Sequence, residues 1–501
     1  MPEQPPISAT VAPPGGRLGR PILTTWEAIA QSLAIGPIFS TAFVAVFVIA
    51  AAGAATPLSI LLAAVGMLCV GWIIALYARR YAGAGAIYDY LRRVSPLLGV
   101  FAACLYFVGI LVLGGVGGYP AIGLLTATLF QNIGLTLPWW VFALIIAGVV
   151  FAVNHYGIRL ATRVQLALTG ISVIPFLILA LAIIFRGGDA GNTLAMFNPA
   201  VVPLSGIFQG VLFAITMFVG FEAAASLGEE TANPRRSIPF AIAGTVVLAT
   251  VFYLIIIYAS EIGFGLAHVD AWAKDPSPLD TLATRYVGHW LSVLIDIAVV
   301  IDVIVSVSAF TAATARGIFA LARHGFLPAA LARTTNFRDR PNTPFGGNLM
   351  MPLFALIGIA LVAFTGTDPL VAFGVTATWG TILITAIYLI LVVMSVRLLR
   401  EEPQKWWQWI IFVIALVAPF LGIYGSVVPL PPWPNSLAVY GSLATILIAL
   451  GWILFIRSSR RDLLREAAKP HVWEDSPEAV APNFSTIKRV VKGRRSGLLD
   501  Q

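Results

Sequence analysis

FAITMFVGFEAAASLGEETANPRRSI, residues 213–238, is an apolar helix that carries Gly220 and then an ionisable Glu222 close to its middle. The helix empties into a loop holding the pair Glu229-Glu230, an Asn-Pro step at 233–234 and two arginines, Arg235 and Arg236. A carboxylate in hydrocarbon costs roughly 2.5 to more than 10 kcal/mol, so Glu222 demands a pocket, a hydrogen-bonding partner or a proton. The reading holds only if the surrounding chain lies in a membrane, and composition says that it does. Of the 501 residues 59% are hydrophobic and 11% charged, with a mean hydropathy of +0.90, where soluble chains carry about 25% charged residues. In a soluble protein a formal charge of +8 would suggest a nucleic-acid partner. In a membrane protein its meaning lies in where the cations sit.

A helix needs about 20 apolar residues to cross a hydrocarbon layer about 30 Å thick. That ruler gives twelve candidate spans, at 26–50, 57–78, 96–130, 139–154, 162–185, 205–227, 238–262, 290–316, 349–364, 369–396, 406–428 and 436–456. With the N-terminus inside, all 31 Lys and Arg but Arg186, Lys274 and Arg285 fall on the inner side. This asymmetry predicts a multi-pass protein of the cytoplasmic membrane with both termini cytoplasmic. The Pro- and Gly-rich residues 1–24 read as a short disordered tail, and 457–501 as a basic tail lying against anionic headgroups. Between spans two and three, the arginines and tyrosines of 79–94 predict a short interfacial helix with those side chains at headgroup depth. Cys69 and Cys104 both lie in apolar runs, so no disulfide framework is implied.

The first span contains Ala34-Ile35-Gly36-Pro37-Ile38. Pro37 removes a backbone donor and clashes with the preceding turn, while Gly36 permits non-helical angles, which suits either a proline kink or a full break. The Glu222 stretch falls five spans later, running the opposite way. Interrupted helices at corresponding positions of two inverted halves point to a secondary transporter's binding site. Residues 25–185 (spans one to five) and 186–396 (spans six to ten) then form the repeats, with 397–456 adding spans eleven and twelve. Span eight carries Asp302 deep in the membrane, with Ser306 one turn further on and Ser308 beyond it. These oxygens suit a coupling proton or sodium ion, or hydroxyls bonded back to their own helix.

Gly220-Phe221-Glu222, Glu229-Glu230, Asn233-Pro234-Arg235-Arg236 and Ile238-Pro239 resemble the sixth span and following loop of the amino acid–polyamine–organocation (APC) superfamily. Ala315-Arg316, Ala320 to Pro328 and Thr343-Pro344 are similar to that family's segment after its eighth helix. The resemblance implies an all-α, LeuT-like fold of five-plus-five inverted repeats with helices one and six broken, and secondary transport of amino acids or related amines. It implies that the substrate carboxylate meets backbone N–H groups of Ile35, Gly36 and Ile38, and that the amine meets carbonyls near Thr216, Met217, Val219 and Gly220, with Phe213 and Glu222 close by. The chain departs from the family pattern at Pro37, which has no N–H to offer, at Thr216, where related exchangers place an aromatic, and in span five, which has no lysine.

With no deep cation and one carboxylate in the broken helix, the expected substrate is a small neutral or apolar amino acid. A polyamine or basic amino acid is the alternative, since Glu222 can pair with a second amine. A transceptor or an ion-conducting protein of the same fold is a third reading. No HExxH, GxSxG or P-loop pattern points to an enzyme or a primary pump. The expectation is therefore no cofactor, no structural metal and no nucleic-acid partner, with the proton or sodium as coupling ion.

Overall fold

The computed structural model describes residues 9–11, 18, 21–33, 36–81, 83–131, 134–156, 158–275, 277–335, 343–400 and 405–469. Among them the chain is an all-α bundle. Nine helical runs are long and apolar enough to cross a membrane, and Trp139–His155 and Leu204–Thr216 are shorter apolar helices. Each of the twelve stretches predicted from the sequence contains helix, because the longest run, Thr25–Arg80, holds two of them. That run is interrupted at Gly36 and turns through Gly53–Ala55 before Thr56–Arg80. Large apolar side chains such as Ile171, Phe185, Phe364 and Ile448 are exposed around the bundle, where hydrocarbon rather than water suits them.

Both breaks rest on a left-handed glycine. Gly36 has φ 96° and Gly220 has φ 102°, a region that costs an L side chain roughly 1–2 kcal/mol. After Gly36 the chain resumes as one continuous helical run through Pro37–Phe39, Ser40–Val44 and Ala45–Ala52, with Pro37 at its first turn, where no intrahelical donor is needed. After helix Leu204–Thr216 the sixth span opens through residues 217–222 and continues as the 3-10 segment Ala223–Leu227. The third span, Pro96–Gln131, widens into a π-helix over its glycine stripe, Leu111–Gly118. A methyl group on Gly117 would collide with the Thr376 hydroxyl, so the stripe seats the tenth span, Pro369–Arg400.

Two expectations are corrected. The N-terminal segment is not free of structure where it is described. Ala9–Val11 pairs antiparallel with Arg333–Thr335, which pairs in turn with Thr343–Pro344, and Ile22 and Leu23 donate to the Glu230 carbonyl. The unpaired strand edge and free carbonyl of the loops give this segment backbone partners that composition does not reveal. The interfacial helix exists, as Ile87–Val94, but Tyr88, Tyr90 and Arg92 are buried rather than set among headgroups. Arg92 pairs with Asp89 at 2.7 Å and donates to the carbonyls of Ala467 and Lys469 beyond the last span. Both described tail segments therefore pack at the same end of the bundle, called the tail side below.

At the opposite end two short helices, Val269–Lys274 and Pro278–Tyr286, lie between spans seven and eight. Burial and the neighbouring Asp296 carboxyl raise the Asp280 carboxyl above the usual range. A raised carboxyl means that the folded chain binds this proton more tightly than the unfolded one, so stability falls as pH rises from the ordinary carboxylate range to the raised value. Asp280→Asn is expected to flatten the fall in melting temperature between about pH 5 and pH 8, as followed by thermal unfolding in detergent. Gly36→Ala is expected to lower that temperature at every pH. It adds left-handed strain of roughly 1–2 kcal/mol and places a Cβ 2.8 Å from the Ser306 hydroxyl.

Candidate functional site

The two breaks face one another across a cavity of about 60 Å³ walled by Phe39, Ser40, Thr216, Val219, Ser306 and Phe310 among others. No charged residue lines it among the described residues. A wider vestibule of about 320 Å³ lies beyond, toward the side opposite the tails, and shares Val44, Thr216, Phe373 and Ala377 with the inner cavity. Aromatic rings line both. Phe39 meets Phe373 edge-on at 5.0 Å and stacks on Phe43 at 5.2 Å, and Phe47 leans on Phe213 at 6.1 Å.

A helix that begins inside a membrane leaves N–H groups that need an acceptor. At the start of the second half of span one, the acceptor is Asp302 of span eight. Its Oδ2 accepts the Phe39 N–H at 2.9 Å, and the Ile38 N–H also points to this carboxyl. Oδ1 is buried without a partner among the described residues. The start of the second piece of span six is served in the same way, the Ser32 hydroxyl accepting the Ala224 N–H at 2.9 Å. In the break itself, the Thr216, Phe218 and Gly220 carbonyls accept from the chain ahead of them, and Met217's accepts the Tyr253 hydroxyl at 2.7 Å. The Val219 carbonyl, whose residue lines the cavity, has no such partner among the described residues.

Glu222 is fully buried and does not line the inner cavity. Tyr106 of span three donates to Oε1 at 2.8 Å and Tyr388 of span ten to Oε2 at 2.7 Å, and the Gly220 N–H is aimed at the same carboxyl. The carboxyl thus ties the broken sixth span to two intact helices. The hydroxyls of Ser306 and Ser308 in span eight have protein partners. The Ser306 hydroxyl donates back to the Asp302 carbonyl at 2.8 Å, and Ser308 accepts from Asn154 and Gln165. Gly36, Pro37, Ile38, Thr216, Met217, Val219 and Gly220 stand at the two breaks, and Phe213 lines the vestibule. Ile35 lies outside the described residues.

The tail side is closed by charge. Glu229 pairs with Arg323 at 2.8 Å and Glu230 with Arg316 at 2.5 Å, all four buried. The Leu18 N–H from the N-terminal segment donates to Glu229 at 2.7 Å. The paired carboxylates after span six and the arginines leaving span eight, two separate motifs in the sequence, are thus one structure. Tyr106, Tyr388 and this cross-pairing were not singled out from the sequence. A tyrosine hydroxyl in an apolar span, which must find a partner when buried, was the available signal.

A small uncharged cavity between two interrupted helices, in a bundle whose outer surface is apolar, suits a membrane transport protein. The model of the amino acid permease family matches residues 23–466, and the chain belongs to that family, within the APC superfamily, whose members are transporters rather than enzymes. Over 267 residues it is 26% identical to L-asparagine permease 1 of Mycobacterium tuberculosis, covering 50% of this chain and 53% of the relative. It is 26% identical to a glutamate/serine transporter of Bacillus subtilis over 46% of this chain and 44% of the relative. It is 25% identical to an aromatic amino acid permease of Lactococcus lactis over 60% and 68%. The chain spans about half the length of the first two of these relatives.

Tyr106→Phe and Tyr388→Phe each strip one donor from a buried carboxyl, at a cost of about 1–3 kcal/mol. Each is expected to lower the melting temperature in detergent, and the double variant to lower it by more than either.

Proposed function

We propose that this protein is a secondary permease that carries a small neutral or apolar amino acid across the cytoplasmic membrane by alternating access. In this reading twelve spans form two inverted repeats followed by two further helices, and both tails are cytoplasmic, as the distribution of cations supports. The observation that carries the substrate class is the uncharged cavity of about 60 Å³ between the breaks. It has hydroxyls and carbonyls for one amine and apolar walls for a short side chain. A diamine would need a second anion there, and Glu222 is already engaged by two tyrosines behind the cavity wall.

The substrate carboxylate belongs at the N–H groups that open the second half of span one, where Asp302 now sits. Two carboxylates cannot share those donors at low cost, because like charges this close in a dry site repel. Asp302 yields them most readily as the neutral acid, which makes a proton the co-substrate and Asp302 its carrier. The tail-side ion pairs and the aromatic rings of the other side are then the two alternating closures.

The test is uptake into proteoliposomes under an imposed proton or sodium gradient. Alanine, serine or leucine is expected to accumulate against its gradient when the outside is acid. Asp302→Asn is expected to retain exchange of labelled for unlabelled amino acid while losing proton-driven accumulation. Accumulation of a diamine with none of the neutral amino acids overturns the substrate reading, and accumulation driven by sodium alone overturns the proton.

A further inference from the structure

The Arg235-Arg236 pair, prominent in the sequence, takes no part in the tail-side closure. Both side chains are exposed in the first turn of the seventh span, Pro234–Phe264, and no acidic residue shares that turn. Arg79, in the last turn of the second span, Thr56–Arg80, is exposed beside them. None of the three forms an ion pair among the described residues. Three unneutralised guanidinium groups at one point repel one another, and the nearby carboxylates Glu229 and Glu230 are committed to Arg323 and Arg316.

These arginines stand at the mouth of a groove of about 630 Å³ between the second, seventh and eleventh spans. Its walls are apolar, formed by Val65, Leu68, Trp72, Phe240, Ala243 and Ile411. Val65 and Phe240 are open to the bilayer at 44% and 61% exposure. From Val65 to Arg79 the second span rises ~20 Å at 1.5 Å per residue, the length of an extended acyl chain. The shape is therefore amphipathic along its length, cationic at the tail-side interface and apolar down into the membrane.

We propose that this groove is a binding site for an anionic phospholipid of the tail-side leaflet. The phosphate sits in the fork of Arg79, Arg235 and Arg236, and one acyl chain lies along Leu68, Trp72 and Phe240. Guanidinium groups present planar paired donors that match phosphate oxygens, and cationic pockets between membrane helices take anionic headgroups for this reason. A zwitterionic lipid offers the same chain but brings a choline or ethanolamine cation toward three arginines. The site consequently selects by headgroup charge.

The experiment uses the full chain, purified in detergent and titrated with phosphatidylglycerol, phosphatidylcholine or inorganic phosphate, with bound lipid counted by native mass spectrometry and melting temperature followed in parallel. Phosphatidylglycerol is expected to bind and to raise the melting temperature, and phosphatidylcholine and inorganic phosphate to do neither. The triple variant Arg79→Gln/Arg235→Gln/Arg236→Gln is expected to bind phosphatidylglycerol about a hundredfold more weakly, at about one factor of five per cation. Ala243→Trp keeps the arginines and fills the groove, and is expected to weaken the same binding should the triple variant fail to fold. Equal retention of phosphatidylglycerol by the wild type and either folded variant overturns the proposal. So does stabilisation by inorganic phosphate equal to that by the lipid, which would make the fork a site for free phosphate.

Discussion

A helix interrupted inside hydrocarbon exposes backbone N–H and C=O groups that lipid cannot serve, and these need a partner within the protein or a cavity to face. Much of this architecture answers that requirement. Asp302 reaches from the eighth span to the restart of the first, Ser32 from the first to the restart of the sixth, and the Tyr253 hydroxyl from the seventh to the Met217 carbonyl. Every one of these bonds joins two different helices. The breaks are therefore held by their neighbours, and any shift of those neighbours reaches the cavity directly.

The two sides of the cavity are held by different physics. On the tail side, buried ion pairs resist separation, because parting them leaves uncompensated charge where its desolvation is costly. On the other side, aromatic rings meet by contact alone, and rings slide past one another without exposing charge. The bundle thus pairs buried ion pairs on the tail side with ring-on-ring contacts toward the vestibule.

Much of this was legible in the sequence, and for local reasons. Gly36-Pro37 and Gly220 disrupt apolar runs that would otherwise be unbroken, so the breaks declare themselves residue by residue. Glu222 declares itself by its cost, and the depth of Asp302 follows from counting turns. What each of these groups bonds was not legible, because the partners are distant in the chain. Tyr106 is 116 residues from Glu222 and Tyr388 is 166, while Phe39 is 263 from Asp302. A serine one turn along a helix has its own carbonyl within reach, and Ser306 takes it. The first residues read as unstructured from their Pro and Gly content, and the strand edge that receives Ala9–Val11 lies beyond the eighth span.

The bond from the Leu18 N–H fastens the N-terminal segment to the same carboxylate that holds Arg323. A displacement of Glu229 is therefore felt both by the eighth span, through Arg323, and by the segment that hangs from it. A load placed on that segment therefore reaches the Glu229–Arg323 pair without touching a residue that lines the inner cavity.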